Sequence, residues 1–225
     1  MDGIIIVDKP IGLTSHDVVD VVRKKFNIRR VGHAGSLDPL ATGVLIILVG
    51  KTTRLFKVFE NLEKEYLATL TLGVCTETSD SQGKILKTMP IEGIDETKLR
   101  EVLNQFKGRI QQIPPMFSAL KYKGKRLYNL ARRGLTVPRQ PREIEIFQIE
   151  LMKFDPPLVD LRLVCSKGTY VRQICEDIGK LLGCGAYQSK LNRIRIGPFK
   201  IEEAVSLDNL NESHIRHNQP KTKVS

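Results

Sequence analysis

The chain has 225 residues, with 36 Lys and Arg against 25 Asp and Glu for a formal net charge of +11, four cysteines and no tryptophan. Its apolar fraction of 41% is enough for a packed core, which argues against wholesale disorder; the length fits one large domain or two small ones rather than a multidomain machine. The longest apolar run, residues 44–49, is far short of the roughly 20 residues a membrane helix needs, and Met1-Asp2-Gly3-Ile4 lacks the basic-then-apolar pattern of a signal peptide.

Residues 3–7 form a short β-rich run closed by the turn Asp8-Lys9-Pro10-Ile11-Gly12. Thr14 or Ser15 can cap a helix that runs to about Phe26, with Val18, Val21 and Val22 on one face and Arg23-Lys24-Lys25 near its end. A glycine-rich loop spans 32–43, followed by a buried strand over 44–49, a short helix over 53–59 and an alternating strand over 66–72. The polar turn at 78–83 predicts a hairpin into 84–88. Residues 95–106 read as an amphipathic helix with Leu99, Val102, Leu103 and Phe106 on one side. Ile113-Pro114-Pro115-Met116 interrupts regular structure, and a short helix over 127–133 stops at Gly134. Two β-rich segments, 144–154 and 158–165, lead to a helix over 170–182 that ends at Gly183, and 191–196 supply a last strand. The chain turns polar near Asn211, so residues 1–210 are expected to form one folded domain and 211–225 a flexible tail. Hairpins with interspersed helices favour an α+β fold on a mostly antiparallel sheet over a parallel βαβ sheet.

Cys75, Cys165, Cys175 and Cys184 form no C-x-x-C pair, and in a chain of this size they read as reduced thiols of a cytoplasmic protein. His16, His33, His214 and His217 have no zinc-site spacing. Val49-Gly50-Lys51-Thr52 resembles the end of a phosphate-binding P-loop, but Leu45 stands where that loop requires glycine and the intervening residues are strand formers. The excess of positive charge suggests a polyanionic partner.

That charge is concentrated. Between Val21 and Phe59 lie eight basic residues (Arg23, Lys24, Lys25, Arg29, Arg30, Lys51, Arg54, Lys57) and one acid, Asp38. A carboxylate on a phosphate-binding surface opposes binding unless it has another task. Pro39 biases Asp38 toward an extended backbone, and nearby glycines allow close approach of a ligand; an ordinary Asp-Pro turn is the alternative. Residues 121–142 hold eight more cations (Lys121, Lys123, Lys125, Arg126, Arg132, Arg133, Arg139, Arg142) and no acid, interleaved with Tyr122 and Tyr128. This pattern suits RNA, through phosphate contacts and base stacking. Arg172, in Lys167-Gly168-Thr169-Tyr170-Val171-Arg172, is a cation at a helix start, where anions are favoured, so it calls for a carboxylate or phosphate partner.

An ordered set of segments closely resembles the TruB family of tRNA pseudouridine-55 synthases. It comprises Val7-Asp8-Lys9-Pro10-Ile11-Gly12-Leu13-Thr14-Ser15, Gly32-His33-Ala34-Gly35-Ser36-Leu37-Asp38-Pro39-Leu40-Ala41-Thr42-Gly43, Lys64-Glu65-Tyr66, Thr76-Glu77-Thr78-Ser79-Asp80, Pro114-Pro115-Met116-Phe117-Ser118-Ala119, Gly168-Thr169-Tyr170-Val171-Arg172 and Leu191-Asn192-Arg193.

The resemblance implies the pseudouridine synthase catalytic fold and an enzyme that isomerises uridine 55 in the tRNA T-loop, without cofactor or metal. By it, Asp38 is the catalytic aspartate, Arg172 the cation that pairs with it, and Tyr66 the ring that stacks on the target base and helps remove the C5 proton. His33 fills the space left by the flipped base, Tyr170 and Leu191 surround the target nucleotide, and Lys9 sits structurally behind the catalytic loop. The expected partner is the T-arm of tRNA, with no membrane, no obligate protein partner and a monomeric state. Ala34 replaces the hydroxyl residue usual in the family loop. Many members carry a C-terminal PUA domain, of which only a short polar tail is expected here. A guide-RNA-dependent synthase of the box H/ACA type is the alternative within the class, and a non-catalytic tRNA-binding factor the alternative outside it.

Overall fold

The computed structural model describes residues 1–217. In chain order these form β1 (Gly3–Lys9), α1 (Ser15–Phe26), β2 (Val31–Ala34), β3 (Thr42–Val49), α2 (Phe56–Glu60), β4 (Lys64–Leu72), β5 (Val74–Thr76), β6 (Ile85–Thr88), α3 (Glu96–Asn104), β7 (Gly108–Gln112), β8 (Lys121–Tyr122), β9 (Lys125–Arg126), α4 (Leu127–Ala131), β10 (Arg142–Asp155), β11 (Leu158–Cys165), α5 (Val171–Leu182), β12 (Ala186–Ile196) and β13 (Phe199–Lys200). Short 3₁₀ helices cover Gly50–Leu55, Ile201–Glu203 and Glu212–His214. The chain divides into two compact units, residues 1–66 with 191 onward, and residues 67–190. Strands β4 and β12 each have one part in either unit.

The first unit is organised by β3. Its residues Val44 to Val49 are all buried, and their side chains alternate between two cores. Leu45, Ile47 and Val49 pack with Ile5, Val7 and the α1 residues Val18, Val19 and Val22. Val44, Ile46 and Leu48 pack with Ile4, Ile6, Phe59, Ile196 and Phe199. A strand covered on both faces reads as an unbroken apolar run, which is why 44–49 is the clearest strand in the sequence. β1 runs antiparallel along one edge of β3, from Gly3↔Val49 to Lys9↔Gly43. The other edge is shared: β2 pairs antiparallel at Ala34↔Ile46 to Val31↔Val49, and β12 pairs parallel at Thr42 and Gly43.

Helix α1 begins where the sequence predicts. Thr14 accepts from the Asp17 amide at 3.1 Å and the Asp17 carboxylate accepts from the Thr14 amide at 2.7 Å, a reciprocal cap worth about 1 kcal/mol. The buried face differs from expectation: Val19, not Val21, joins Val18 and Val22, and Val21 stays 36% exposed. The segment expected to leave the fold at Asn211 remains on it as far as the described residues go. Leu210 and Ile215 are buried in the α1 core, and Arg216 and Ile4 exchange backbone hydrogen bonds of 2.8 and 3.1 Å. The rest of that expected tail, 218–225, lies outside the described residues.

The second unit carries the sheet order β12-β4-β11-β10-β7, with β10 antiparallel to both neighbours. The predicted α3 face is buried as expected, with Leu99, Val102, Leu103 and Phe106 inside. The hairpin β5–β6 follows the polar turn at 78–83 as predicted. Outside the sequence expectation lie the edge strand β7, the two-residue hairpin β8–β9, the strand β13 beside β12, and β2, which pairs with β3 where the glycine-rich loop over 32–43 was expected to begin. In both units the strands form a mixed, mostly antiparallel sheet flanked by helices, the α+β class expected.

Candidate active site

Asp38 lies in the irregular connection between β2 and β3, half-buried. Irregular backbone needs outside partners for its polar groups, and buried side chains from three elements supply them. At the start of α1, the Ser15 hydroxyl donates to the Leu37 carbonyl at 3.2 Å and accepts from the Leu37 amide at 2.8 Å. At the end of β1, the Lys9 ammonium donates to the carbonyls of Pro10 (2.8 Å), Leu13 (2.6 Å) and Pro39 (3.3 Å). From β12, the Arg193 guanidinium donates to Val44 (2.7 Å), Ser36 (3.3 Å) and Gly35 (2.8 Å). Within the loop, the Ala41 amide closes onto the Asp38 carbonyl at 3.0 Å, and the Gly12 amide reaches the Pro39 carbonyl at 2.8 Å. The residues on either side of Asp38 are thereby fixed.

Lys9 and Arg193 are 0% and 1% exposed. Burial pushes the Lys9 ammonium down to about 8; the Asp38 carboxylate pulls it the other way, and Arg193 adds to the fall. The Asp38 charge is therefore felt at Lys9, whose bonds hold the chain on both sides of the Pro10–Leu13 turn and at Pro39. Gly43 ends the loop at φ +100°, and a Cβ there would land on the Arg193 carbonyl oxygen and the Asn192 side chain. The backbone crossing of β3 and β12 thus requires glycine at this position.

His33 lies on β2, half-buried, with no hydrogen-bond partner for Nδ1 among the described residues. Burial, reinforced by the charges of Arg193 and His16, pushes its imidazole down to about 4. Tyr66 on β4 and Leu191 on β12 are both buried. The strand before Tyr66 is held by Arg195, whose guanidinium bridges Glu63 and Glu65 at 2.6 Å each. The first unit therefore contains four of the sequence-predicted residues: His33, Asp38, Tyr66 and Leu191.

Tyr170 and Arg172 belong to the second unit. Tyr170 is the N-cap of α5, and its backbone is locked by the buried Gln112 amide. The Gln112 side chain donates to the Tyr170 carbonyl at 3.0 Å and accepts from its amide at 2.9 Å. Arg172 is 4% exposed, pairs with the buried Asp80 carboxylate at 3.4 Å, and donates to the carbonyls of Thr78 (3.1 Å) and Phe117 (3.0 Å). The carboxylate called for by its placement at a helix start includes Asp80. Ser15, Arg193, Gln112 and Asp80 had no site role in the sequence reading. The signal for Asp80 was its place in the motif Thr76-Glu77-Thr78-Ser79-Asp80, and for Arg193 its place in Leu191-Asn192-Arg193; Gln112 offered none.

The second basic stretch occupies β8, β9 and α4. Lys121, Lys125, Arg126, Tyr128, Asn129 and Arg133 line one open cleft. Arg126 and Arg132 stand 5.8 and 5.5 Å from the Tyr128 ring centroid, and Arg126 donates to its hydroxyl at 3.1 Å. Tyr128 therefore stands between two guanidinium groups, a cation–π arrangement that gathers positive charge at the cleft.

The TruB family pseudouridylate synthase N-terminal domain matches residues 23–171, and the tRNA pseudouridylate synthase B C-terminal domain matches 172–224. The tRNA pseudouridine synthase B of Syntrophotalea carbinolica is 50% identical over 92% of this chain and 68% of that protein. That of Clostridium tetani is 48% identical over 96% of this chain and 75% of its own length. Among solved structures, a Cbf5-Nop10-Gar1 complex matches with a TM-score of 0.73 at 33% identity, over 92% of this chain and 53% of that one. An H/ACA RNP bound to a substrate RNA matches with a TM-score of 0.69 at 31% identity, over 92% and 52%. The chain spans about half the length of those two solved chains. On the matched family domains and the identity to these synthases, the chain belongs to the TruB family of tRNA pseudouridine synthases.

Proposed function

We propose that this chain isomerises uridine 55 in the T-loop of tRNA to pseudouridine, with Asp38 as its catalytic carboxylate. The observation that carries the reading is the loop around Asp38: a lone acid in a basic segment, fixed on both sides by Ser15, Lys9 and Arg193. A reacting group held this firmly suits a chemistry limited by placement.

The reaction breaks the bond between ribose C1′ and uracil N1, turns the base, and forms a bond from C1′ to C5. The C5 proton leaves and N1 gains one, so atoms and electrons balance with no oxidant, metal or cofactor. Asp38 either attacks C1′ as uracil departs through N1, and is displaced when C5 bonds there, or initiates the cleavage without a lasting bond; Tyr66 stacks on the base and assists loss of the C5 proton. The base reaches them by leaving its stack. A neutral imidazole suits the place it vacates, and His33, held down to about 4, is neutral at pH 7. Tyr170 and Leu191 flank the nucleotide, and Arg172, braced by Asp80, is the cation that the resemblance assigns to the Asp38 carboxylate. The cations of residues 121–142 grip the phosphates of the T-arm. The enzyme works as a monomer in the cytoplasm without a protein partner; its four free thiols suit a reducing compartment.

The test is to map pseudouridine after incubating purified protein with a tRNA transcript and with a bare T-arm hairpin. Modification confined to position 55 in both is expected. Activity that required an added guide RNA would transfer the chain to the guide-dependent class.

A further inference from the structure

We propose that Arg193 is a positioning residue for catalysis: by clamping the two ends of the loop that carries Asp38, it sets the place of that carboxylate. The inference rests on Asp38 being the reacting group. It goes beyond the general fixing of that loop by giving one side chain, Arg193, a measurable part in the rate.

Arg193 is 1% exposed, and all three of its donor nitrogens are spent on main-chain carbonyls. Two of those, Gly35 and Ser36, enter the loop, and the third, Val44, leaves it. The planar guanidinium thus bridges the mouth of the loop. Its backbone lies in parallel register with Gly43, so the clamp is anchored in the strand pair and not on a mobile arm. A buried cation is costly to desolvate, and core packing alone would be served by an apolar side chain of similar volume. Among the described residues no carboxylate salt bridge joins this guanidinium; its hydrogen bonds there go to carbonyl oxygens. A cation buried at such a cost, with its three bonds going to the entry of the loop and to the strand that follows it, fits positioning better than bulk stability. Lys64 reinforces the arrangement, since its stem lies with the Arg193 guanidinium against Gly35.

The experiment compares Arg193→Lys and Arg193→Met with the wild type in single-turnover and steady-state pseudouridine formation. Lysine keeps the charge but replaces the fork by a point donor that cannot hold three carbonyls in one plane. For Arg193→Lys, kcat is expected to fall about tenfold with the KM for tRNA unchanged. For Arg193→Met the expected fall is about 100-fold, the scale on which a misplaced reacting group loses rate. Hydrogen exchange at the Ala41 amide, which closes the Asp38 turn, is expected to accelerate in Arg193→Lys while the amides of β3 keep their protection. Wild-type kcat in Arg193→Lys would overturn the proposal. So would a rate loss that merely follows the folded fraction, or failure of both variants to fold, since each makes Arg193 a strut of the fold. The Asp38→Asn variant separates the two readings: if it is inactive while Arg193→Lys is fully active, only the clamp is lost.

Discussion

Two irregular stretches of this chain use cations in opposite ways. Around residues 35–44, Lys9 and Arg193 are buried, and each spends its donors on three backbone carbonyls. Along residues 121–142, seven of the eight cations are exposed, and regular structure is reduced to two-residue strands and one turn of helix. Only Arg139 is drawn in, donating to the Pro114 carbonyl at 3.0 Å. A buried cation fixes backbone at the expense of desolvation. An exposed one keeps its hydration and is exchanged readily for a phosphate, with release of counterions. The first arrangement yields precision, the second affinity. Breaking either should leave a different kinetic trace.

The largest effect is expected at Asp38. Asp38→Asn keeps the shape and the loop's backbone bonds but removes the nucleophilic charge, so turnover should fall at least about 10⁴-fold. Binding of tRNA, measured by filter retention, should change little, because the cations of 121–142 are untouched. Retained turnover by this variant would end the assignment of the carboxylate.

Next comes the hinge of the loop. Gly43→Ala puts a side chain at φ +100° and against the Arg193 carbonyl. Left-handed strain and the clash together should destabilise the fold by about 3 kcal/mol or more. Chemical denaturation reads this directly. Gly134→Ala, in the other stretch, also has a positive φ but open space around it, so its cost should be strain alone, about 1 kcal/mol. Equal losses at the two glycines would show that the tight crossing of β3 and β12 contributes nothing.

These contrasts also explain how far the sequence could be read. The ends of α1 were legible because its cap is local, Thr14 with Asp17 three residues on. β3 was legible because both its faces are covered. The choice between Val19 and Val21 was not, since both fit a helical stripe and only the position of the core decides. β7 escaped because Ile110 is its one apolar side chain and it lies at the sheet edge. The carboxylate and its basic setting could be picked out, with the chemistry supplied by resemblance. The clamp could not: the carbonyls Arg193 holds lie 149 to 158 residues away, and a main-chain acceptor leaves no mark in a sequence. Ile215, a single apolar residue in a polar stretch, likewise gave no sign that it closes the α1 core.

A smaller effect follows from His33, beside the loop. Its folded-state value of about 4 lies below the ordinary 6.5. Between those values the unfolded chain takes up a proton that the folded chain refuses, so stability is full above about pH 6.5 and falls as pH drops toward 4. The loss is bounded at about 3 kcal/mol by the size of the shift. His33→Asn should flatten the urea midpoint over that window. An unchanged slope in His33→Asn would mean that another group carries the acid sensitivity.

The smallest single effects belong to the exposed cations. Lys121, Lys125, Arg126 and Arg133 line one cleft, and none needs to be in a fixed geometry to attract a phosphate. Replacing one by Gln should raise the KM for tRNA two- to threefold, leave kcat alone, and flatten the dependence of log K on log salt by about 0.9 if it meets one phosphate of a duplex stem. Tyr128→Phe sharpens the point. It removes the hydroxyl that accepts from Arg126 but keeps the ring beside Arg126 and Arg132. Its effect should be smaller than that of Tyr128→Ala, which releases both guanidinium groups. If Phe and Ala weaken binding equally, the hydroxyl itself matters and the ring does not organise the arginines. If kcat falls in either, the stretch takes part in the chemistry, and the division between precision in one region and affinity in the other fails.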